Sequence, residues 1–270
     1  MDVPSAPRPV LLACHGWTDS GEVFGPVAQA LDGHWTVIAP DAPGHGDSPW
    51  TPAPVYCVPD HVTGLAAVVD ALPHVDRHRA PVVAYGHSLG ALSAARLAAA
   101  RSGVVAHLIL EDPARTTPRR APSVPLMRTW LRDLQATDHA GRVGYLVREH
   151  PDWPADEHGP WARSKAEADP RPLDGPVDWG PSLPVLLAEV GCPVTILRGE
   201  PARGGLVSRA GAARCAAVCA GGADVIELGT GHNPRREARA EVLAVLRAVL
   251  ERCGAGTGAG QTRARVNRDR

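Results

Sequence analysis

The chain has 270 residues, 44% of them hydrophobic and 21% charged, with a formal net charge of −1. That is enough chain to bury a sizeable core in one domain, and the near-neutral charge gives no footprint for a nucleic-acid partner. No apolar run reaches 18 residues, so no membrane-spanning helix is expected.

Pro9 to Cys14 (PVLLAC) reads as a buried strand, a short apolar run bounded by Pro and Gly. A helix is predicted over Glu22–Leu31 and a second strand over Trp35–Ala39. Residues 40–59 read as loop, punctuated by Pro and Gly. A helix over Asp60–Leu72 follows, with Asp60 as its expected N-cap. Pro81–Tyr85 is the third predicted strand and runs into Gly86 and Ser88; an alanine-rich helix follows Gly90 and extends through Ala100. Val104–Leu110 is the fourth strand and ends at Glu111-Asp112-Pro113. Pro193–Leu197 and Ala223–Leu228 are two more, separated by a helix near Val207–Val218, and a last helix spans Arg236–Arg252.

Alternating strands and helices predict an α/β fold, a mostly parallel sheet with helices on both faces. One stretch breaks the alternation. From about 115 to 182 there is no convincing strand, only helical pieces near Val124–Thr137, His139–His150 and Ala155–Ala168, which read as an inserted helical cap. The domain is taken as residues 1–253. The Gly-rich end from 254 to 270, with Arg263, Arg265, Arg268 and Arg270, reads as a disordered basic tail.

Six cysteines are present. Met1 to Pro9 lacks the apolar stretch of a secretory signal, so a cytoplasmic location with reduced thiols is expected. Cys215 and Cys219 share a helical spacing but have no second ligand pair, so they read as packing residues.

Gly86-His87-Ser88-Leu89-Gly90 matches G-x-S-x-G. In that arrangement the serine sits on a strained turn between strand and helix, and its hydroxyl projects above the sheet edge. The backbone N–H of Leu89, opening the helix, can face an oxyanion. A serine hydroxyl needs a base to act as nucleophile. Of twelve histidines, His232 is the best placed, on a glycine-rich loop between the last strand and the last helix. Two carboxylates compete to orient it: Asp112 after the fourth strand, and Glu200 after the fifth. His15-Gly16-Trp17 follows the first strand, and the N–H of Trp17 is a second candidate oxyanion donor. His15 and His87 read as packed rings. His45, His61, His74, His78, His107, His139, His150 and His158 are expected in solvent or in cap packing.

These segments, with DAPGHGDS at 41–48, LILEDP at 108–113 and GTGHNPRRE at 229–237, resemble the α/β-hydrolase superfamily, in particular its capped serine-nucleophile branch of esterases, lactonases and cofactor-free haloperoxidases. The order Ser88, Asp112, His232 is the nucleophile–acid–base order of that fold. Members commonly carry the acid in a G-x-x-D pattern after the fifth strand. Here Ala202 fills that slot, so Asp112 is preferred and Glu200 is the alternative. The resemblance implies a serine hydrolase acting on an ester, lactone or thioester through an acyl-enzyme on Ser88. The alternatives are a lyase, cyclase or haloperoxidase using the same triad, or a ligand-binding receptor. Trp130, Trp153, Trp161 and Trp179 in the cap suggest a small, largely apolar substrate, although they could equally pin the cap to the core. Arg128, Arg132, Arg142 and Arg148 are expected on solvated faces. No cofactor or metal is expected, and a small molecule is the only partner implied.

Overall fold

A computed structural model describes residues 9–31, 35–50, 58–72, 81–116, 124–174 and 179–258. Cys57, His74, His78 and residues 259–270 lie outside this set.

Six strands, β1 (Val10–Cys14), β2 (Thr36–Ile38), β3 (Val82–His87), β4 (Val105–Glu111), β5 (Val194–Arg198) and β6 (Ala223–Glu227), form one sheet in the order β2-β1-β3-β4-β5-β6. Every pairing is parallel. β1, β3 and β5 are buried at every position, because alternate residues serve two cores. Leu12, Ala84, Leu110 and Ile196 point into one apolar cluster, and Leu11, Val83, Tyr85 and Ile109 into the other. The edge strands β2 and β6 are largely accessible.

The chain runs outward from β1 to β2 and then returns to lay β3 on the other side of β1. The β1/β3 boundary is therefore the topological switch point, where the loops after two neighbouring strands diverge and leave a crevice at the carboxyl edge of the sheet. The segments after β1 and β3 are His15-Gly16-Trp17 and Ser88.

The helices are α1 (Gly25–Ala30), α2 (Val58–Ala71), α3 (Leu89–Ala100), α4 (Val124–Gln135), α5 (His139–Glu149), α6 (His158–Glu167), α7 (Leu183–Leu187), α8 (Arg209–Ala217), α9 (Pro234–Glu237) and α10 (Arg239–Gly258). The single helix expected over Glu22–Leu31 is instead a 3-10 turn, Gly21–Phe24, followed by α1. Pro26 has no N–H to bond back into the preceding turn, so the helix starts afresh there. Asp60 is not an N-cap, since α2 begins two residues earlier. The last helix is also divided, breaking at Ala238. α10 runs on to Gly258, past residue 254 where the sequence reading begins its tail.

Between residues 115 and 182 the described residues hold α4, α5, α6 and two short 3-10 turns, and no strand. Leu134, Leu146, Trp153, Trp161 and Ala162 form a small apolar cluster there, separate from the sheet cores. Arg142 is not on a solvated face. It is buried and donates to the carbonyls of Ala162, Leu134 and Thr137, bracing the helices against one another. Arg128 and Arg132 are accessible and pair with Asp174. Among the described residues no helix is long and apolar enough to cross a membrane, and the five described cysteines are free thiols.

Candidate active site

Ser88 sits between β3 and α3 with φ 53° and ψ −112°, a conformation that L-residues rarely adopt. Neighbouring glycines make the turn possible. A Cβ at Gly90 would collide with the Cys14 carbonyl, and one at Gly86 with the backbone of Gly90 and Ala91. Asp112, just past β4, and Thr18, after β1, also have positive φ, at 36° and 66°. The unusual backbone thus gathers where the strands end.

The structure brings Ser88, His232 and Asp112 into one hydrogen-bonded chain. His232 Nδ1 lies 2.6 Å from Asp112 Oδ2 and Nε2 lies 3.1 Å from Ser88 Oγ. A carboxylate only accepts, so Nδ1–H donates to Asp112 and Nε2 is left to accept the serine proton. Asp112 is fully buried. Its carboxylate also accepts the backbone N–H groups of Leu206 (2.7 Å), Gly199 (3.3 Å) and Val207 (3.3 Å), so the loop after β5 holds it in place. Glu200 belongs to that same loop. Its hydrogen bonds to Thr230, Arg203 and Gly205 are all main-chain, and it is not the partner of His232.

Gly16 brings the loop after β1 against the serine: a Cβ there would lie 3.4 Å from Ser88 Cβ and 2.8 Å from the His87 ring. Trp17 and Ser88 line the same cavity. Leu89 is the first residue of α3, where amides have no intrahelical acceptor.

His15 has the packing role expected. Its Nδ1–H donates to the Gly16 carbonyl (2.8 Å) and Nε2 accepts the Ala42 N–H (3.0 Å). Burial, with the nearby His45, pushes its pKa down to about 3, so the neutral ring is a fixed strut. His45 is a second strut and not a solvent or cap residue. It is buried, with its ring centroid 5.1 Å from that of His15, and it accepts the Thr18 N–H. Asp41 completes the support by accepting the N–H groups of Gly21 (2.6 Å) and Asp47 (3.0 Å). His87 donates through Nε2 to the His232 carbonyl (2.9 Å), and burial holds its pKa well below the usual histidine value. His61 and His107 are also buried in the domain, the latter bonded to Thr195.

Above Ser88 lies a cavity of about 220 Å³. Its apolar wall comes from Trp17, Met127, Trp130, Tyr145, Trp153 and Trp161. Trp179 is elsewhere, edge-on to Trp17 at 5.0 Å and packed in a sheet core. His150, which lines the cavity, stacks on Trp153 at 4.2 Å.

The other wall is ionic, and the sequence reading missed it. Lys165 of α6 reaches down to the Thr18 carbonyl (2.8 Å) and Asp19 (2.5 Å). Arg236 joins Asp19 (3.3 Å) to Glu157 (3.1 Å). All four side chains are buried. Burial pushes the Lys165 pKa down to about 8, against the pull of Asp19. Burial alone would raise Asp19, but Lys165, Arg236 and Arg235 together hold it well below the usual carboxylate range. A signal existed in the sequence, since Asp19 and Arg236 lie within four residues of Gly16 and His232. Lys165 had none, because its partner is 146 residues away. Among the described residues, no group of three or more His, Cys, Asp or Glu side chains is placed to hold a metal ion.

A fold of this topology with this serine elbow defines a class, and comparison with known proteins gives it a family. A model described as "Alpha/beta hydrolase family" matches residues 10–245, and the chain belongs to that family. Lipase LipV of Mycobacterium tuberculosis is 41% identical over 111 residues, covering 41% of this chain and 39% of that protein. 2-(Acetamidomethylene)succinate hydrolase of Mesorhizobium japonicum is 29% identical over 177 residues, 62% of this chain and 56% of that protein. The chain thus matches these curated relatives over well under two thirds of their length. Among solved structures, E-2-(acetamidomethylene)succinate hydrolase superposes with a TM-score of 0.67 at 24% identity, covering 91% of this chain and 92% of that one. The thioesterase domain from the curacin biosynthetic pathway superposes with a TM-score of 0.68 at 19% identity, covering 92% and 93%. At those identities the likeness is one of fold.

Proposed function

We propose that the protein is a serine hydrolase that cleaves an ester, lactone or thioester of a small, largely apolar acid through an acyl-enzyme on Ser88. The observation that carries this reading is the continuous chain from Ser88 Oγ through His232 to Asp112, at 3.1 and 2.6 Å. His232 Nε2 takes the Ser88 proton as Oγ attacks the substrate carbonyl carbon. The N–H groups of Trp17 and Leu89 bind the oxyanion, an effect of about 3–4 kcal/mol per donor where it has been measured. The tetrahedral intermediate collapses with cleavage of the bond to the leaving group, which receives the proton from His232. Water, deprotonated by His232, then attacks the acyl carbon and releases the acid and Ser88. Asp112 stays ionised and holds the imidazole in the required tautomer.

The Trp-lined wall supports an apolar acyl group, and the small volume supports a short one. The relatives' names, a lipase and a hydrolase among them, agree with this chemistry. Free thiols on the described cysteines favour a reducing, cytoplasmic setting.

A fluorophosphonate probe followed by peptide mapping tests the nucleophile, alongside p-nitrophenyl esters of graded chain length in water labelled with heavy oxygen. We expect label on Ser88 and one heavy oxygen in the released acid. An acid without heavy oxygen, which would mean cleavage on the aryl side of the ester oxygen, or failure to label Ser88, would overturn the reading.

A further inference from the structure

The 220 Å³ cavity shares part of its wall with a neighbouring space. This second space, of about 570 Å³, lies on the outer side of α4 and α5. Leu126 and Leu134 give it an apolar floor, and Asp133 and Arg148 are the charged groups lining it. Two residues, Trp130 and Tyr145, line both spaces. Trp130 Nε1 donates to the Tyr145 hydroxyl at 3.0 Å. Both rings lean on Trp161: Trp130 edge-on, Tyr145 stacked within 6° of parallel, each at 6.2 Å between centroids. From the outer side the Arg148 guanidinium covers the Tyr145 ring at 5.4 Å. The two spaces thus share one hydrogen-bonded pair of side chains as common lining. Leu126 is 72% exposed in the outer groove, an apolar side chain of the kind that marks a binding surface when it lies in a groove.

We propose that the Trp130–Tyr145 pair is the partition that sets the acyl-chain length this protein accepts, and that the groove behind it is the subsite for the distal methylenes of a medium or long straight chain once the partition is breached. The proposal rests on the serine acyl-transfer reading and adds its substrate limit. With the pair in place, the inner cavity is smaller than an ordinary ligand pocket. Joined to the groove it reaches that range. Each methylene transferred from water to an apolar groove is worth about fourfold in affinity. That gain lies far from the reacting carbon, so it is binding common to ground and transition states and should appear in KM, with kcat nearly unmoved.

The experiment compares kcat/KM for p-nitrophenyl dodecanoate with that for the butanoate in the intact protein, in Trp130→Ala and in Tyr145→Phe. In the wild type the dodecanoate should be the poorer substrate. Trp130→Ala should raise the dodecanoate-to-butanoate ratio about tenfold or more, through KM. Tyr145→Phe removes only the acceptor that ties the pair, and should move the ratio the same way by less; it also serves if Trp130→Ala does not fold. A rise of threefold or more in either variant supports the partition. A smaller change in both, or a wild type equally fast on both esters, overturns it. Calorimetric titration with decanoate reads the same subsite without turnover, and Trp130→Ala should bind it more tightly than the wild type does. Absence of turnover on every ester would count against the serine reading alone. An unmoved ratio and unmoved decanoate affinity would count against the partition.

Discussion

The carboxyl edge of the sheet and the helical cap meet at one cavity, but different forces build them. At the sheet edge the backbone does the positioning. Ser88 and Asp112 are each the first residue after a strand, in strained conformations, and Asp112 is held by three main-chain N–H groups. In the cap, side chains do it: Arg142 braces three carbonyls, Lys165 anchors α6 to the loop after β1, and tryptophans fill the space. The proposed reactive groups thus sit on the part positioned by main chain. The cavity wall that would meet the substrate under the proposed function is formed largely by cap rings. The seam between the two parts is the buried group of Asp19, Lys165, Glu157 and Arg236.

The contrast is tested most strongly at the imidazole. His232→Ala and Asp112→Asn should each lower kcat on a short p-nitrophenyl ester by about 10⁴-fold, the second because the wrong tautomer becomes available. Glu200→Gln should stay within about twofold. Reversal of the Asp112 and Glu200 results would move the acid to the loop after β5.

Acid should act on the sheet edge through its struts. Burial and the nearby His45 push the His15 pKa down to about 3 in the folded protein, from the ordinary histidine value of 6.5. Between those limits the unfolded chain binds the extra proton, so stability is fully present above about pH 6.5 and falls as pH drops toward 3. His45 and His87, also lowered, act with the same sign. The His15 contribution alone is on the order of 5 kcal/mol at its limit. Urea titrations at stepped pH should show that slope, and His15→Gln should flatten it. An unchanged slope in the variant would remove His15 from the struts.

At the seam, Lys165→Met leaves Asp19 without its nearest cation and should destabilise by about 3–5 kcal/mol. Hydrogen exchange should rise first in α6. If exchange rose evenly over sheet and cap, the two regions would be one cooperative unit, and the distinction drawn above would fail. At the sheet edge itself, Gly90→Ala drives the added Cβ into the backbone of Cys14 and His15 and should cost about 3 kcal/mol or more, read by the same titrations.

The contrast also explains what the sequence made legible. The parallel sheet was readable because each strand is a short apolar run between breakers, and the elbow because only glycines fit around Ser88. His232 and Asp112 were readable because each follows a strand. The cap helices at 124, 139 and 155 were visible as helical pieces. What remained hidden depends on contacts between distant segments. Arg142 looked like a solvated charge, yet it is buried against α6. Lys165 is an ordinary residue of α6 until the fold sets it on Asp19. His45 reads from the sequence as a solvent or cap residue, although its loop packs it against His15. The splits at Pro26 and Ala238 are local backbone effects within otherwise helical patterns.

The central claim is that Ser88 is the nucleophile, and kcat/KM of Ser88→Ala beside the wild type tests it most directly. On p-nitrophenyl butanoate, with folding verified by circular dichroism, we expect a fall of about 10⁴-fold or more. A variant that keeps a tenth or more of wild-type turnover would contradict it.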